Sequence, residues 1–319
     1  EEVIEECWSS LVNGNLNGFA KHDLLRINLR QPKKSINEEP SSFLELECVS
    51  SLSPLDMINL SYGTHDSTGH SVWTGALFLL EALAAKDRDD EEHYLSRCFE
   101  SKRVLELGCG SGVSGLALLL SPNEWKLRPA HVTFTDNDEE VLALCRRNCQ
   151  RNLPSNQHDS DYSIVPLSWG KQVDGATSSD KRNHNLPPPR QQNDSHQVFE
   201  TVMATDVIYD LGCLQALLWT ASNSLEHVGK FVLSHVPRAC LPNYEPRNGN
   251  DYHHQLEENI VKVAERNNLK LVKVIRSNDI TKEGNDACNP PLNNKSLSEM
   301  EESGAALMIF QKGKDFCTS

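Results

Sequence analysis

The chain has no long run of lysine or arginine, and its 31 basic residues against 45 acidic ones leave a formal charge of −14 at pH 7. Nucleic acids are held by clustered cations, so this balance argues against them and makes a basic protein or a cationic small molecule the easier partner. The ten cysteines include no C-x-x-C pair and no Cys/His spacing of a zinc site. No metal is therefore expected, and the thiols read as the reduced cysteines of an intracellular protein. No apolar stretch approaches the ~20 residues that span a bilayer. The longest is Leu116 to Leu120 with its neighbours, and no signal peptide is visible, so a soluble protein without a membrane partner is expected. Internal repeats are absent. The chain opens on Glu1 rather than Met, and its natural N-terminus is expected to lie upstream.

What is present alternates. Residues 1–62 read as an N-terminal extension containing one strand-like run, "FLELECV", Phe43 to Val49. A helix-like segment follows, Val72 to Ala85, closed by the acidic "KDRDDEEH" of a solvated connector. From Lys102 onward come "RVLEL", a helix over Gly112 to Leu120, "HVTFTD", and a helix that Asn137 would cap. Then come "YSIVPLSW", "FETVMATDVIY", the helix "LGCLQALLWTASNSL", "GKFVLSHV" and the helix "YHHQLEENIVKVAERNN". Two strands, "LKLVKVIR" and "AALMIFQK", close the chain without a helical pattern between them. Such βα alternation implies an α/β fold with a mostly parallel sheet covered by helices on both faces. The stretch Lys171 to Gln197, with its "PPP" and little apolar content, reads as a disordered insertion within a domain spanning 63–313.

The most informative segment is "VLELGCGSGVSGLALLL", a strand, a glycine loop and a helix. Glycines there let the backbone turn tightly and approach a ligand without interference from Cβ. "GSGVSG" fits the dinucleotide pattern G-x-G-x-x-G, but that register begins late. The other register is Glu106, Gly108, Gly110 and Gly112, with Asp136 ending the next strand to accept hydrogen bonds from ribose hydroxyls. A carboxylate at Glu106 facing the ligand suits a partly cationic aminocarboxypropyl sulfonium better than a pyrophosphate. A nicotinamide oxidoreductase is also disfavoured by the lack of a Tyr-x-x-x-Lys pair.

Four segments, "TGHSVWTGALFLLEAL", the glycine loop, "LSWG" and "DVIY", together resemble methyltransferase family 16, the seven-β-strand protein lysine methyltransferases. The match covers roughly Thr68 to Val236, and the length with "CRRN" and "ATDVIYD" is similar to the methyltransferase-like protein 22 branch. The resemblance implies a Rossmann-like class I methyltransferase with a mostly parallel seven-stranded sheet, a C-terminal antiparallel strand and an N-terminal extension. It implies S-adenosyl-L-methionine as cofactor, bound by Trp73, Glu106, Gly108, Gly110, Gly112, Asp136, Trp169 and Thr205. Asp206 and Tyr209 would be the catalytic pair, acting on a lysine of a protein substrate. A histidine or small-molecule methyltransferase, or a non-catalytic interaction protein with this fold, remain alternatives. The protein is expected to be a monomer in the cytoplasm, and also in the nucleus.

Several of these residues have a purely structural alternative. Trp73 and Trp169 could be core anchors, although Trp169 could also cover an adenine at the carboxyl edge of the sheet. Asp206 could cap the helix that follows it while Tyr209 fills core. Cys145 and Cys149, four residues apart on one helix face, read as core thiols. His253 and His254 read as a solvated first turn of their helix.

Overall fold

The computed structural model describes residues 23–29, 43–49, 67–84, 94–123, 126–154, 161–170, 198–237, 249–281, 300 and 303–313. In chain order the main elements are β1 (Asp23–Asn28), β2 (Phe43–Cys48), α1 (Thr74–Ala84), α2 (Ser96–Phe99), β3 (Arg103–Leu107) and α3 (Val113–Leu119). Then follow β4 (His131–Asp136), α4 (Glu139–Asn152), β5 (Tyr162–Pro166), β6 (Phe199–Thr205), α5 (Leu214–Ser224) and β7 (Leu225–His235). The chain closes with α6 (Gly249–Arg266), β8 (Leu269–Arg276), α7 (Ser277–Thr281) and β9 (Ala306–Lys312). Short 3-10 turns stand at Ser67–His70 and Leu211–Cys213.

Seven strands form one sheet in the order β5-β4-β3-β6-β7-β9-β8. β3, β4, β5, β6 and β7 pair in parallel, whereas β9 runs antiparallel between β7 and β8. Both faces are covered, as the near-continuous apolar runs of the central strands require. In β3, Val104 faces one core with Phe78, Leu116, Phe134 and Cys145, while Leu105 and Leu107 face the other with Leu217, Leu218, Leu256 and Ile260. Helices α1, α3 and α4 thus cover the first face, and α5 and α6 the second.

The structure departs from the sequence expectation in several places, among them the short helix α7 between the two closing strands. β1 was not expected: it pairs antiparallel with β2, and Ile27, Leu44 and Leu46 enter the same core as α4. Asp138, not Asn137, caps α4, its Oδ1 accepting from the N–H groups of Glu140 and Val141 at 2.8 and 3.3 Å. The strand expected through Tyr209 ends at Thr205. The acidic connector, the insertion Lys171 to Gln197 and most of the N-terminal extension lie outside the described residues.

Strands β1 and β2 are held by polar as well as apolar contacts. Glu47 takes Arg147 Nε at 2.8 Å and Arg151 Nη2 at 2.7 Å, one on each carboxylate oxygen. Those two cations hold its carboxyl below the usual glutamate range against the opposing effect of burial. Asn148, fully buried, accepts from Glu47 N–H at 2.7 Å and donates to both Glu47 O and Ser111 O. A single amide therefore ties the added strand pair to the glycine loop.

Candidate active site

The glycine loop leaves β3 at the point where neighbouring strands depart in opposite directions, β4 to one side and β6 to the other. Open α/β sheets bind ligands at this switch, outside the carboxyl ends of the strands. A cleft of about 530 Å³ lies there. Its walls come from the glycine loop, Thr68 to Trp73, Asp136 and Asn137, Leu167 to Trp169, and the turn from Thr205 to Tyr209.

The loop's conformation demands glycine. Gly108, Gly110 and Gly112 all have positive φ, at 66°, 54° and 83°, where a Cβ is strained. Space is also short: a Cβ on Gly108 would stand 2.9 Å from Val207 Cγ1 and 3.1 Å from the Trp169 ring. At Gly112 it would meet Cys145 Sγ at 2.8 Å, so this glycine packs the loop onto α4 and does not line the cleft. Gly115, which completes the dinucleotide-like pattern, lets α3 approach Phe134 of β4 and Glu106. Its place is explained by packing.

Asp136 closes one end of the cleft. Its Oδ2 accepts from Gly110 N–H at 3.3 Å, and its Oδ1 from Asn137 and Asp138 N–H at 2.8 and 3.2 Å. Burial raises its carboxyl above the ordinary aspartate range, while these donors hold it down. Trp169 is half-buried over Gly108, and the left-handed Gly170 behind it is fastened to α5 by a 3.0 Å bond from its N–H to Thr220 Oγ1. Trp73 donates from Nε1 to Thr68 O at 2.8 Å, which folds "TGHSVW" into the opposite wall.

Glu106 is placed differently from the expectation that it faces the ligand. It is fully buried beneath the loop and is not among the cleft's lining residues. Its Oε2 accepts from Gly115 N–H at 3.2 Å, and its Oε1 has no partner among the described residues. Burial pushes its carboxyl up to about 8, against the Gly115 and Ser114 hydrogen bonds that lower it.

Asp206 follows β6 with φ at 57°, a left-handed conformation in a side chain only 4% exposed. Its own N–H donates to Ser234 O at 2.8 Å, and its Oδ2 accepts from Gly75 N–H at 3.0 Å. The carboxylate thus caps the start of α1, 131 residues away in sequence, not the helix that follows it. Asp210 performs that local duty, accepting from Gly212 N–H at 2.9 Å. Gly75 is required here, because a Cβ would lie 2.8 Å from Asp206 Cβ. Tyr209 does not fill core: it is 45% exposed at the rim of the same cleft.

Of the residues expected at the site, Trp73, Gly108, Gly110, Asp136, Trp169, Thr205, Asp206 and Tyr209 line the cleft together, while Glu106 and Gly112 support it from behind. Sequence reasoning missed the backbone of Gly69 and the hydroxyls of Ser71 and Ser111. Both hydroxyls are buried on the cleft wall without a partner among the described residues. The motifs containing them were visible, but no spacing rule points to a serine whose role is to face a cavity.

The cleft holds the Asp136 carboxylate at one end, two hydroxyls without a partner among the described residues, and a glycine cradle that any Cβ would fill. No lysine or arginine lines it among the described residues, which suits a cationic tail and leaves a pyrophosphate unneutralised. The sheet order and the antiparallel β9, with the cleft at the switch point, define the fold of the class I methyltransferases.

Comparison with known proteins gives the finer assignment. The chain belongs to methyltransferase family 16, described as lysine methyltransferase, whose model matches residues 54–258. It is 30% identical to EEF1A lysine methyltransferase 3 of Xenopus tropicalis over 113 residues, covering 35% of this chain and 42% of that one. It is 26% identical to the histidine protein methyltransferase 1 homolog of Dictyostelium discoideum over 180 residues, covering 56% and 46%. The chain thus spans under half the length of these two relatives. A TehB-like methyltransferase of Corynebacterium glutamicum aligns in structure at 15% identity and a TM-score of 0.40, over 81% of this chain and 95% of that one.

Proposed function

We propose that the protein transfers a methyl group from S-adenosyl-L-methionine to a lysine side chain of a protein substrate. The observation that carries the reading is the buried carboxylate of Asp206 opening onto the cleft beside the exposed ring of Tyr209. A carboxylate held at a fixed point by Gly75 suits capture of an incoming ammonium, and an aromatic ring at the rim suits its alkyl stem. The similarity to a protein named as a lysine methyltransferase supports the same reading.

When bound, the cofactor supplies a methyl group on a sulfonium, already a good leaving group. The chain's own residues then have to align an unprotonated nucleophile behind that carbon. Lysine is neutral in only about one molecule in 10³ at pH 7. Asp206 orients the ammonium on entry, although its charge favours the protonated form. Desolvation in the cleft and the nearby positive charge act the other way and lower the lysine pKa.

A histidine target is the second reading, favoured by the alignment over 180 residues with a protein named as a histidine methyltransferase. Imidazole is largely neutral at pH 7 and has less need of deprotonation. Incubation of the protein with tritiated cofactor and a proteome extract, followed by mapping of the labelled residue, decides between them. Label on lysine, lost in Asp206→Asn, is the expected result. Label on histidine would replace the proposal, and no label in a cofactor-binding protein would point to a non-catalytic role.

A further inference from the structure

Among the described residues, Glu106 is the one buried acid near the cleft that the proposed chemistry leaves unused. Its carboxyl has no exposure, one backbone donor, and one oxygen without a partner among the described residues. Ser114, also fully buried, stands beside it, and Ser114 Oγ lies 3.1 Å from Thr205 Oγ1 on the cleft wall. Either hydroxyl of that pair can be the donor. Two hydroxyls therefore stand between a dry carboxyl and the ligand space.

We propose that occupation of the cleft by a cation is coupled to loss of a proton from Glu106, with Ser114 and Thr205 reversing their hydrogen bonds to carry the change to the cleft. Glu106 is then a positioning residue for the cofactor, not one of its direct contacts. This rests on the cofactor assignment above. When Glu106 is neutral, its O–H can donate toward Ser114, and Ser114 toward Thr205. Once it is ionised, Ser114 donates to the carboxylate and Thr205 donates to Ser114. That turns the Thr205 oxygen lone pairs toward the cleft. The proton leaves to solvent.

The groups acting on Glu106 agree with a neutral resting state. Burial and Asp136 at the end of β4 oppose its ionisation, and the thiols Cys109, Cys145 and Cys149, from the loop and α4, are held protonated and offer no compensating charge. No lysine or arginine faces the cleft among the described residues to offset them. An incoming sulfonium supplies the missing positive charge. S-adenosyl-L-homocysteine lacks that charge, so it should draw out less of the proton.

The test is calorimetric titration of the whole chain with each of the two compounds at pH 7, in buffers of different ionisation enthalpy. With S-adenosyl-L-methionine the wild type should release at least about half a proton more than Glu106→Gln, and more than it releases with S-adenosyl-L-homocysteine. Thr205→Val, which removes one hydroxyl but keeps the carboxyl, should also reduce the release, and it serves if Glu106→Gln does not fold. Equal proton release in the wild type and a folded Glu106→Gln would overturn the proposal. Binding with no dependence on buffer in the wild type would do so as well. If neither compound binds the wild type at all, the cofactor assignment falls first, a result distinguishable from binding without proton release.

Discussion

At the residue scale, two carboxyls near the cleft are held in opposite ways. Asp206 is fixed by donors and caps a helix, and its left-handed backbone is one that aspartate and asparagine tolerate better than most residues. Asp206→Asn keeps both the backbone preference and an acceptor for Gly75, so its melting temperature and cofactor affinity should stay near wild type while methyl transfer is largely lost. Asp206→Ala removes the cap as well and should cost about 1 kcal/mol or more of stability. Measuring melting, affinity and turnover on both variants checks this, and an active Asp206→Asn enzyme would remove the carboxylate from the reaction. Glu106 has few donors, and its folded pKa is about 8 against an ordinary 4.5. The folded state therefore holds this proton more tightly than the unfolded chain. Its contribution to stability is full below about pH 4.5 and is lost as pH rises toward 8. Glu106→Gln cannot ionise, so its melting temperature should fall less than that of wild type between pH 5 and pH 8.

At the element scale, the strand pair β1 and β2 adds to α4 a support that reaches the glycine loop. Asn148 satisfies both backbone groups of Glu47 and the carbonyl of Ser111 from a fully buried position. Asn148→Ala leaves those groups without a partner, and each buried unsatisfied group costs about 1–3 kcal/mol. Chemical denaturation should show a loss of at least that size, with weaker cofactor binding because Ser111 lies on the cleft. If stability falls while affinity is unchanged, the strand pair supports the fold without supporting the site. The surface arginines that grip Glu47 are half-exposed and contribute less.

At the scale of the whole molecule, the insertion Lys171 to Gln197 falls between Trp169, on the cleft, and β6. Its sequence offers few apolar side chains, and each doubling of loop length costs only about 0.6 kcal/mol. Deleting it should therefore leave the melting temperature and the affinity for S-adenosyl-L-homocysteine nearly unchanged. A large loss of affinity in a folded deletion variant would assign this segment to the binding site.

The βα alternation, the closing pair of strands and the glycine loop were legible in the sequence because each rests on local chemistry. Strand and helix periods differ, a tight turn needs glycine, and an apolar run without a polar face must be covered on both sides. Asp136, Trp169 and the Asp206 turn could be placed at the cleft because they follow strands whose carboxyl ends share one edge of the sheet. β1 was missed because its support comes from pairing with β2 and packing on α4, contacts distant in sequence. The positions of Glu106 and Asp206 were likewise decided by tertiary structure. Sequence places Glu106 one residue before the last position of β3, but only the packing of α3 turns its carboxyl away from the cleft toward Gly115. Only the approach of α1 at Gly75 makes Asp206 a cap for a helix 131 residues distant.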